Sequence, residues 1–405
     1  MLSKTLGKTT SNLPNRDIPS ENKVITPRQS ASLIASTVLG VGILTISRSQ
    51  GEVLKEGAWI ATLLGGLISL FFLYIISRLS YRFPLKSFAV FTQEILGTNS
   101  KQNRLGKWLA LPLILCLIAY WGLVIAITVR TFSEVVVSAL LPTTPLEVII
   151  LTMLALSFLL TCYEIEVVAR VNELILPLIV IPLILITISS AQRFKPEFFL
   201  PLWPDITPYD LLQGVIIGTF SYIGYEVIMV FGAYTMVSKE TVPFNLIAFL
   251  AIVLIYTAIV ILTIGSFGIY ELDYILWPTL ELVKFIQVPG VILERVESAF
   301  LAVWMAAAFT TSANILYAAS FLAKKLINKG PAFIYALILL PFIYWVALMP
   351  QNVFSLFEWT NTIGYLSIFF SGLLPLLLYI IARFRKIGLP PSKQLDHLET
   401  HTEGR

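Results

Sequence analysis

The charged residues of this chain avoid long stretches of it. No Asp, Glu, Lys or Arg lies between Arg28 and Arg48, between Glu56 and Arg78, or between Lys107 and Arg130. The same holds between Glu173 and Arg193, Glu240 and Glu271, Glu297 and Lys324, Lys329 and Glu358, and Glu358 and Arg383. A helix needs about 20 apolar residues to cross the hydrocarbon core of a bilayer. Each gap reaches or approaches that length. Two further stretches are weaker: Val148 to Tyr163, and about Pro208 to Val237, which Glu226 interrupts. Only 13% of the 405 residues are charged, where a soluble domain carries about 25%. Lipid is therefore the main solvent.

The spacing predicts an all-α polytopic membrane protein of ten transmembrane helices. They fall at about 27–50, 57–78, 106–134, 146–163, 170–191, 208–236, 243–268, 294–325, 331–349 and 355–384. A cytoplasmic arm (1–24), a ten-helix domain (25–386) and a cytoplasmic tail (387–405) follow from this division. Most of the 28 Lys and Arg fall on one side, including Arg78, Arg82, Lys86, Lys101, Arg104 and Lys107 in a single loop. The positive-inside rule puts that side, and both termini, in the cytoplasm. Tyr81 to Leu96 mixes polar and apolar residues at helical spacing and is expected at the cytoplasmic interface. Trp277 to Gln287 is the outer counterpart.

Several function classes are excluded. The only histidines, His397 and His401, lie in the polar tail, so no embedded histidine is available for catalysis or metal binding. Cys116 and Cys162 both fall within spans, too few for a disulfide framework, and are expected as small buried thiols. Residues 1–24 lack the apolar core of a cleavable signal. No nucleophile–base pair or metal constellation sits in the spans. An enzyme, a resident cofactor or metal, and a nucleic-acid partner are not expected.

Ten spans divide into two sets of five with opposite orientation, the inverted-repeat plan of many secondary transporters. Span 1 carries Gly40-Val41-Gly42-Ile43-Leu44 at its middle. Span 6 carries Gly218 to Glu226 at its middle, with Tyr222, Ile223, Gly224 and Tyr225 leading to Glu226. Glycine costs a helix interior about 1 kcal/mol relative to alanine. Interruptions at matching depth in both halves mark a midplane binding site, with helices 1 and 6 broken there. A broken helix exposes N–H groups for a carboxylate and carbonyls for an ammonium, the two ends of an amino acid. The competing reading is close helix packing by small residues.

Glu226 is a carboxylate well inside a span. Such a group is a functional candidate because burying a charge there is costly. Protonation, proton relay and a clamp on the broken helix all remain open for it. In span 8, Thr310, Thr311, Ser312 and Asn314 follow Trp304. Their hydroxyls either complete a ligand or Na+ site beside span 1, or bond the carbonyl one turn back. Tyr120, Trp121 and Val124 share a face of span 3, where core packing is the ordinary reading. Span 5 holds no lysine, so coupling through a lysine there has no candidate. Arg130–Glu134 and Glu166–Arg170 are spaced as ordinary helical ion pairs.

Thr37 to Thr45 resembles the first-helix motif of the spore germination permeases. These are the B subunits of GerA-type germinant receptors, within the amino acid–polyamine–organocation superfamily. Ser221 to Met229, Trp277-Pro278-Thr279 and Glu294 to Thr311 are similar to the same family. The likeness runs from about residue 24 to 386. It implies a leucine-transporter-like fold, a location in the inner spore membrane, and partner A (membrane) and C (lipoprotein) subunits. By motif position it implies a pocket using Gly40, Gly42, Val124, Ile223, Tyr225 and Thr310, with the span 1 backbone capturing a carboxylate. The expected function is binding of a small germinant, such as an amino acid, to trigger germination. The alternative is an H+- or Na+-coupled amino acid transporter, and a third reading is a scaffold with a vestigial pocket.

Overall fold

A computed structural model describes residues 24–97, 104–201, 206–236, 238–284 and 296–388, the side chains of Val41 and Val296 excepted. The arm, most of the tail with both histidines, and Glu294 and Arg295 lie outside these residues. The helices in chain order are α1 (Pro27–Leu54), α2 (Ala58–Arg82), α3 (Phe88–Leu96), α4 (Arg104–Ala139), α5 (Leu146–Thr161), α6 (Ile165–Ser190) and α7 (Pro208–Thr219). They continue with α8 (Ile228–Phe231), α9 (Thr241–Leu272), α10 (Pro278–Lys284), α11 (Val296–Ile327), α12 (Ala332–Ala347), α13 (Val353–Ser367) and α14 (Leu374–Phe384).

Local chemistry sets the ends. α1 starts in a capping box: Gln29 N–H donates to Thr26 Oγ1 at 3.2 Å, and Thr26 N–H to Gln29 Oε1 at 3.0 Å. Pro27 at its first turn lacks the N–H that a helix start leaves unpaired. Thr207 caps α7 and Asn352 caps α13 through a side-chain oxygen that accepts from the backbone N–H of Asp210 and Ser355.

Among the described residues, six helical stretches are long and apolar enough to cross a membrane, or seven with one bent pair counted as a span. One of them, Gly42–Arg82, covers the end of α1 together with α2. α5 and α12 have 16 residues each, about 24 Å at 1.5 Å per residue. That falls short of a core of about 30 Å.

The bent pair is span 6. α7 passes through a tight turn, Phe220–Tyr222, and the chain then changes direction by 55° before Tyr225–Tyr234. Gly224 makes the turn with φ 119°, a conformation that side chains rarely permit. The expected break in span 1 is absent: α1 is helical straight through Gly40-Val41-Gly42. Those glycines serve close approach instead. A Cβ on Gly40 would lie 2.0 Å from Thr311 Oγ1, and one on Gly42 2.2 Å from the Ser221 carbonyl oxygen. Two interruptions were not expected. α9 turns at Gly268 (φ 71°), and a π-helical turn, Ile368–Leu373, joins α13 to α14.

One other expectation is corrected. Cys116 and Cys162 are exposed on the outside of the helical bundle, because both lipid and protein core accept an apolar thiol. In the outer stretch from Trp277 to Gln287, α10 forms over Pro278–Lys284. Trp277, Thr279 and Leu280 are buried, and residues 285–287 lie outside the described part. α3 does form within Tyr81 to Leu96, with Phe88 and Phe91 buried.

Candidate functional site

A small cavity sits where α1, α4, α11 and the turn of span 6 meet. Val38, Val124, Phe220 and Ile223 form its apolar walls, and Gly42, Thr128, Ser221 and Thr311 complete it. Its volume is about 240 Å³, of which about 10 Å³ can hold the centre of a water molecule. One water needs roughly 10–15 Å³ of such space. Among the described residues no charged side chain lines it.

The face of α1 beside the cavity is ringed by donors from other helices. Thr310 Oγ1 donates to the Ser36 carbonyl at 3.1 Å, and Thr311 Oγ1 to Thr37 at 2.7 Å. Tyr256 donates its hydroxyl to Val38 at 3.0 Å, and Trp304 its indole N–H to Gly40 at 2.7 Å. Thr279 donates to Ile43 at 2.7 Å. A helical carbonyl keeps a second lone pair after its backbone bond. These five donors take it, so a carbonyl-lined wall arises without breaking α1. The consequence is that α1 frees no N–H groups for a carboxylate.

At the turn of span 6, Gly224 N–H donates to Glu226 Oε2 at 2.9 Å. The side chain thus satisfies a donor that the turn leaves open. Glu226 is fully buried, and its other oxygen, Oε1, has no hydrogen-bond partner, nor has the indole nitrogen of Trp121. Trp121 and Ser371 face this carboxyl. Tyr225 donates to the Ser371 carbonyl at 3.1 Å, and the Tyr120 and Ser371 hydroxyls are 3.3 Å apart. The π-turn therefore presents Ser371 to both tyrosines and to Glu226.

Where α1, α6 and α11 meet, two buried amides form a closed network. Asn172 Nδ2 donates to the Val168 carbonyl at 2.7 Å and to Asn314 Oδ1 at 2.9 Å. Asn314 Nδ2 donates to Thr37 Oγ1 at 2.8 Å and to Asn172 Oδ1 at 2.7 Å. Ser36 donates to Asn172 Oδ1. Both donors of each amide are used.

Both ends of α1 are tied down. Ile25 N–H donates to Tyr234 O at 2.8 Å, and Met236 N–H to Ile25 O at 2.9 Å, forming a parallel bridge to the end of span 6. At the other end Arg48 donates to Ile275 O at 2.8 Å and pairs with Glu52 at 2.8 Å. Its guanidinium lies 4.9 Å from the centroid of the Phe357 ring.

The site residues expected from sequence divide accordingly. Gly42, Val124, Ile223 and Thr311 line the cavity. Gly40 and Thr310 lie beside it, in the α1–α11 contact. Ile43 contributes its carbonyl to Thr279. Tyr222 points away: its hydroxyl donates to the Thr62 carbonyl of α2 at 3.0 Å, between Phe249 and Tyr256. Tyr120, Tyr225 and Glu226 converge on Ser371, and Gly224 forms the turn. The Val41 side chain lies outside the described residues. The expectations passed over Val38, Thr128, Phe220 and Ser221 in the cavity, and Asn172 in the network. Their signal was position alone: one turn from Gly42, from Val124 and from Gly224, and opposite Asn314. No group of three or more His, Cys, Asp or Glu residues suited to a metal occurs among the described residues.

Solved structures share this fold. One is Mhp1, a nucleobase-cation-symport-1 family transporter, in a closed conformation with bromovinylhydantoin bound. Its TM-score is 0.60 at 15% identity, covering 88% of this chain and 78% of that one. Another is MhsT in complex with L-phenylalanine, with TM-score 0.61 at 15% identity, covering 88% of each chain. These likenesses show the fold, which is leucine-transporter-like. Among curated proteins, "Spore germination protein YndE" of Bacillus subtilis is 30% identical over 90% of this chain and 98% of its own. "Spore germination protein A2" of Bacillus subtilis is 26% identical over 88% of this chain and 95% of its own. "Spore germination protein GerQB" of Bacillus cereus is 27% identical, covering 87% and 95%. The family model described as "Spore germination protein" matches residues 24–354, and this integral membrane protein belongs to that family of permease-like spore germination proteins.

Proposed function

We propose that the chain is the permease-like subunit of a germinant receptor and binds a small germinant, an amino acid, in the cavity between α1, α4, α11 and the turn of span 6. The observation that carries this is the meeting of an uncharged, hydroxyl-bearing cavity with the 55° bend of the same span. Ser221 offers a hydroxyl to a carboxylate, and the hydroxyl oxygens of Thr128 and Thr311, whose protons go to Val124 O and Thr37 O, accept from an ammonium. Val124 and Ile223 set the size of the side chain admitted.

The cavity as it stands has room for about one water. An amino acid enters only after α1 and the half of span 6 that follows Gly224 move apart. A ligand that binds the opened form alone shifts the population toward it. The closed form is then the resting state, and opening is the signal passed to partners. In this reading ten spans cross the inner spore membrane, both termini face the cytoplasm, and the A and C subunits complete the receptor.

The Asn172–Asn314 network supports sensing over ion-coupled transport. It fills the junction of α1, α6 and α11 with neutral, mutually bonded groups, which offers a coupling ion no carboxylate among them. The purified protein in sealed vesicles should bind radiolabelled amino acid saturably without accumulating it under an imposed H+ or Na+ gradient. Gradient-driven accumulation would establish the transporter instead. In the spore, deleting the adjacent A-type partner should lower the abundance of this protein.

A further inference from the structure

Asn245, near the start of α9, is 1% exposed, yet among the described residues neither end of its amide has a hydrogen-bond partner. Ser77 and Ser80, on one face of α2, leave their hydroxyls unpartnered as well. Buried polar groups are almost always bonded, because leaving one unmet forfeits its hydration. All three side chains line one cavity, where α2, the last part of span 6 and α9 meet.

Gly232 brings span 6 against this face of α2: a Cβ there would lie 2.9 Å from Ser80 Oγ. Thr235 and Thr241 also line the cavity, but their protons go to the Phe231 carbonyl at 3.1 Å and the Met236 carbonyl at 3.0 Å. Among the described residues no charged side chain lines it. A charged ligand would find no counter-ion there, so the set suits a neutral one.

The cavity has a volume of about 380 Å³, of which about 30 Å³ can hold the centre of a water molecule. At roughly 10–15 Å³ for each water-sized group, a few such groups fit beside Asn245. Met236, which is 49% exposed, marks the open side. A primary carboxamide matches this space and these partners. Its nitrogen carries two donors and its oxygen two lone pairs. The Asn245 amide pairs with it edge to edge, giving one N–H and accepting another. The Ser77 and Ser80 hydroxyls take the remaining N–H and lone pair. An ester lacks the donors, and a carboxylate brings an unmatched charge.

We infer that this cavity is a second ligand site, which takes the primary carboxamide of a small soluble molecule on Asn245, Ser77 and Ser80, with the rest of that molecule leaving past Met236. No described residue lines both this cavity and the midplane one, so the site stands independently of the germinant reading. The bound carboxamide fastens the half of span 6 that follows Gly224 to α2 and α9.

The test is saturation-transfer NMR on propionamide with the full chain in lipid nanodiscs, with methyl propionate and propionate as controls of similar shape. Propionamide should show saturable transfer at a concentration about fivefold lower than either control, the worth of one neutral hydrogen bond. Asn245→Leu, close in shape, should abolish that transfer. It should also raise the melting temperature of the ligand-free protein, because it removes an unpartnered buried amide. A residue present for structure alone would lower it. Ser77→Ala and Ser80→Ala should each weaken the transfer about fivefold, and the double variant decides the case if Asn245→Leu misfolds. Equal transfer from propionamide and methyl propionate would show a cavity that holds water only and overturn the site. So would parental transfer in Asn245→Leu or in the double serine variant. A photocrosslinker at position 236 that captures a protein in native membranes would assign the carboxamide to a partner's Asn or Gln side chain and overturn the soluble ligand.

Discussion

The indole nitrogen of Trp304 donates to the carbonyl oxygen of Gly40 at 2.7 Å. It joins the middle of α11 to the middle of α1, one turn from the cavity. Trp304 is 2% exposed and stacks on Phe132 at 5.7 Å. Trp304→Phe keeps the ring contact and deletes the donor. The loss of a buried partner costs about 1–3 kcal/mol. The detergent-purified variant should melt at a lower temperature than the parent, and it should need a different amino acid concentration for half-maximal response. An unchanged melting curve would show that the bond contributes nothing.

Gly40 and Gly42 make a sharper contrast with Gly51. A Cβ at the first two would collide at 2.0 Å and 2.2 Å, whereas one at Gly51 meets nothing within 4 Å. Overpacking costs roughly 1–3 kcal/mol, and Ser221 O, against Gly42, is backbone that cannot rotate away. Gly40→Ala and Gly42→Ala should therefore lower the thermal midpoint and the response together. Gly51→Ala, in the same helix, should be neutral or slightly stabilising. Equal behaviour of the three variants in a melting series would refute the close-approach account.

Glu226 acts in this account as a clamp on Gly224. Glu226→Gln keeps an oxygen for the Gly224 N–H, so abundance and response should stay near normal. Glu226→Leu leaves that N–H buried without an acceptor, at a cost of about 1–3 kcal/mol, and response should fail. A well-expressed Glu226→Gln variant with no response would point to an ionisable role instead.

The Ile25–Thr235 bridge ties the start of α1 to the end of span 6. Backbones paired this way lie about 4.8 Å apart, within the roughly 4.4–6.8 Å that a disulfide spans. With Cys116 and Cys162 replaced by Ser, the double variant Ile25→Cys/Thr235→Cys should crosslink under oxidant. Oxidation should then block ligand binding and reduction should restore it. Binding that survives a complete crosslink would show that this end need not open.

The spans were legible because a buried charge is expensive, so the gaps between charges trace the bilayer. The turn of span 6 was legible in Gly224 for a related reason: few other residues tolerate its φ. The same residue type misled in α1. A glycine in a span signals either a break or a close neighbour, and the sequence around Gly40 does not say that Thr311 lies opposite. Trp277-Pro278-Thr279 carried only a family likeness, since nothing local reveals that Thr279 reaches the Ile43 carbonyl. Asn172 was invisible because a lone amide near Arg170 and Glu173 resembles the ragged end of a span. Its role appears only when Asn314, distant in sequence, is placed beside it. Cys116 and Cys162 could not be assigned to core or lipid, as hydrophobicity does not distinguish the two.

The central claim is that the midplane cavity chooses the germinant. The Val124 and Ile223 side chains line it, and the turn bond made at Ile223, from its backbone N–H to Phe220 O at 3.1 Å, survives truncation to alanine. Val124→Ala and Ile223→Ala should enlarge it, and germination should be measured for spores carrying each variant against a panel of amino acids of graded size. The account predicts normal abundance and a preference moved at least tenfold toward larger amino acids. An unaltered ranking and potency in both variants would contradict it.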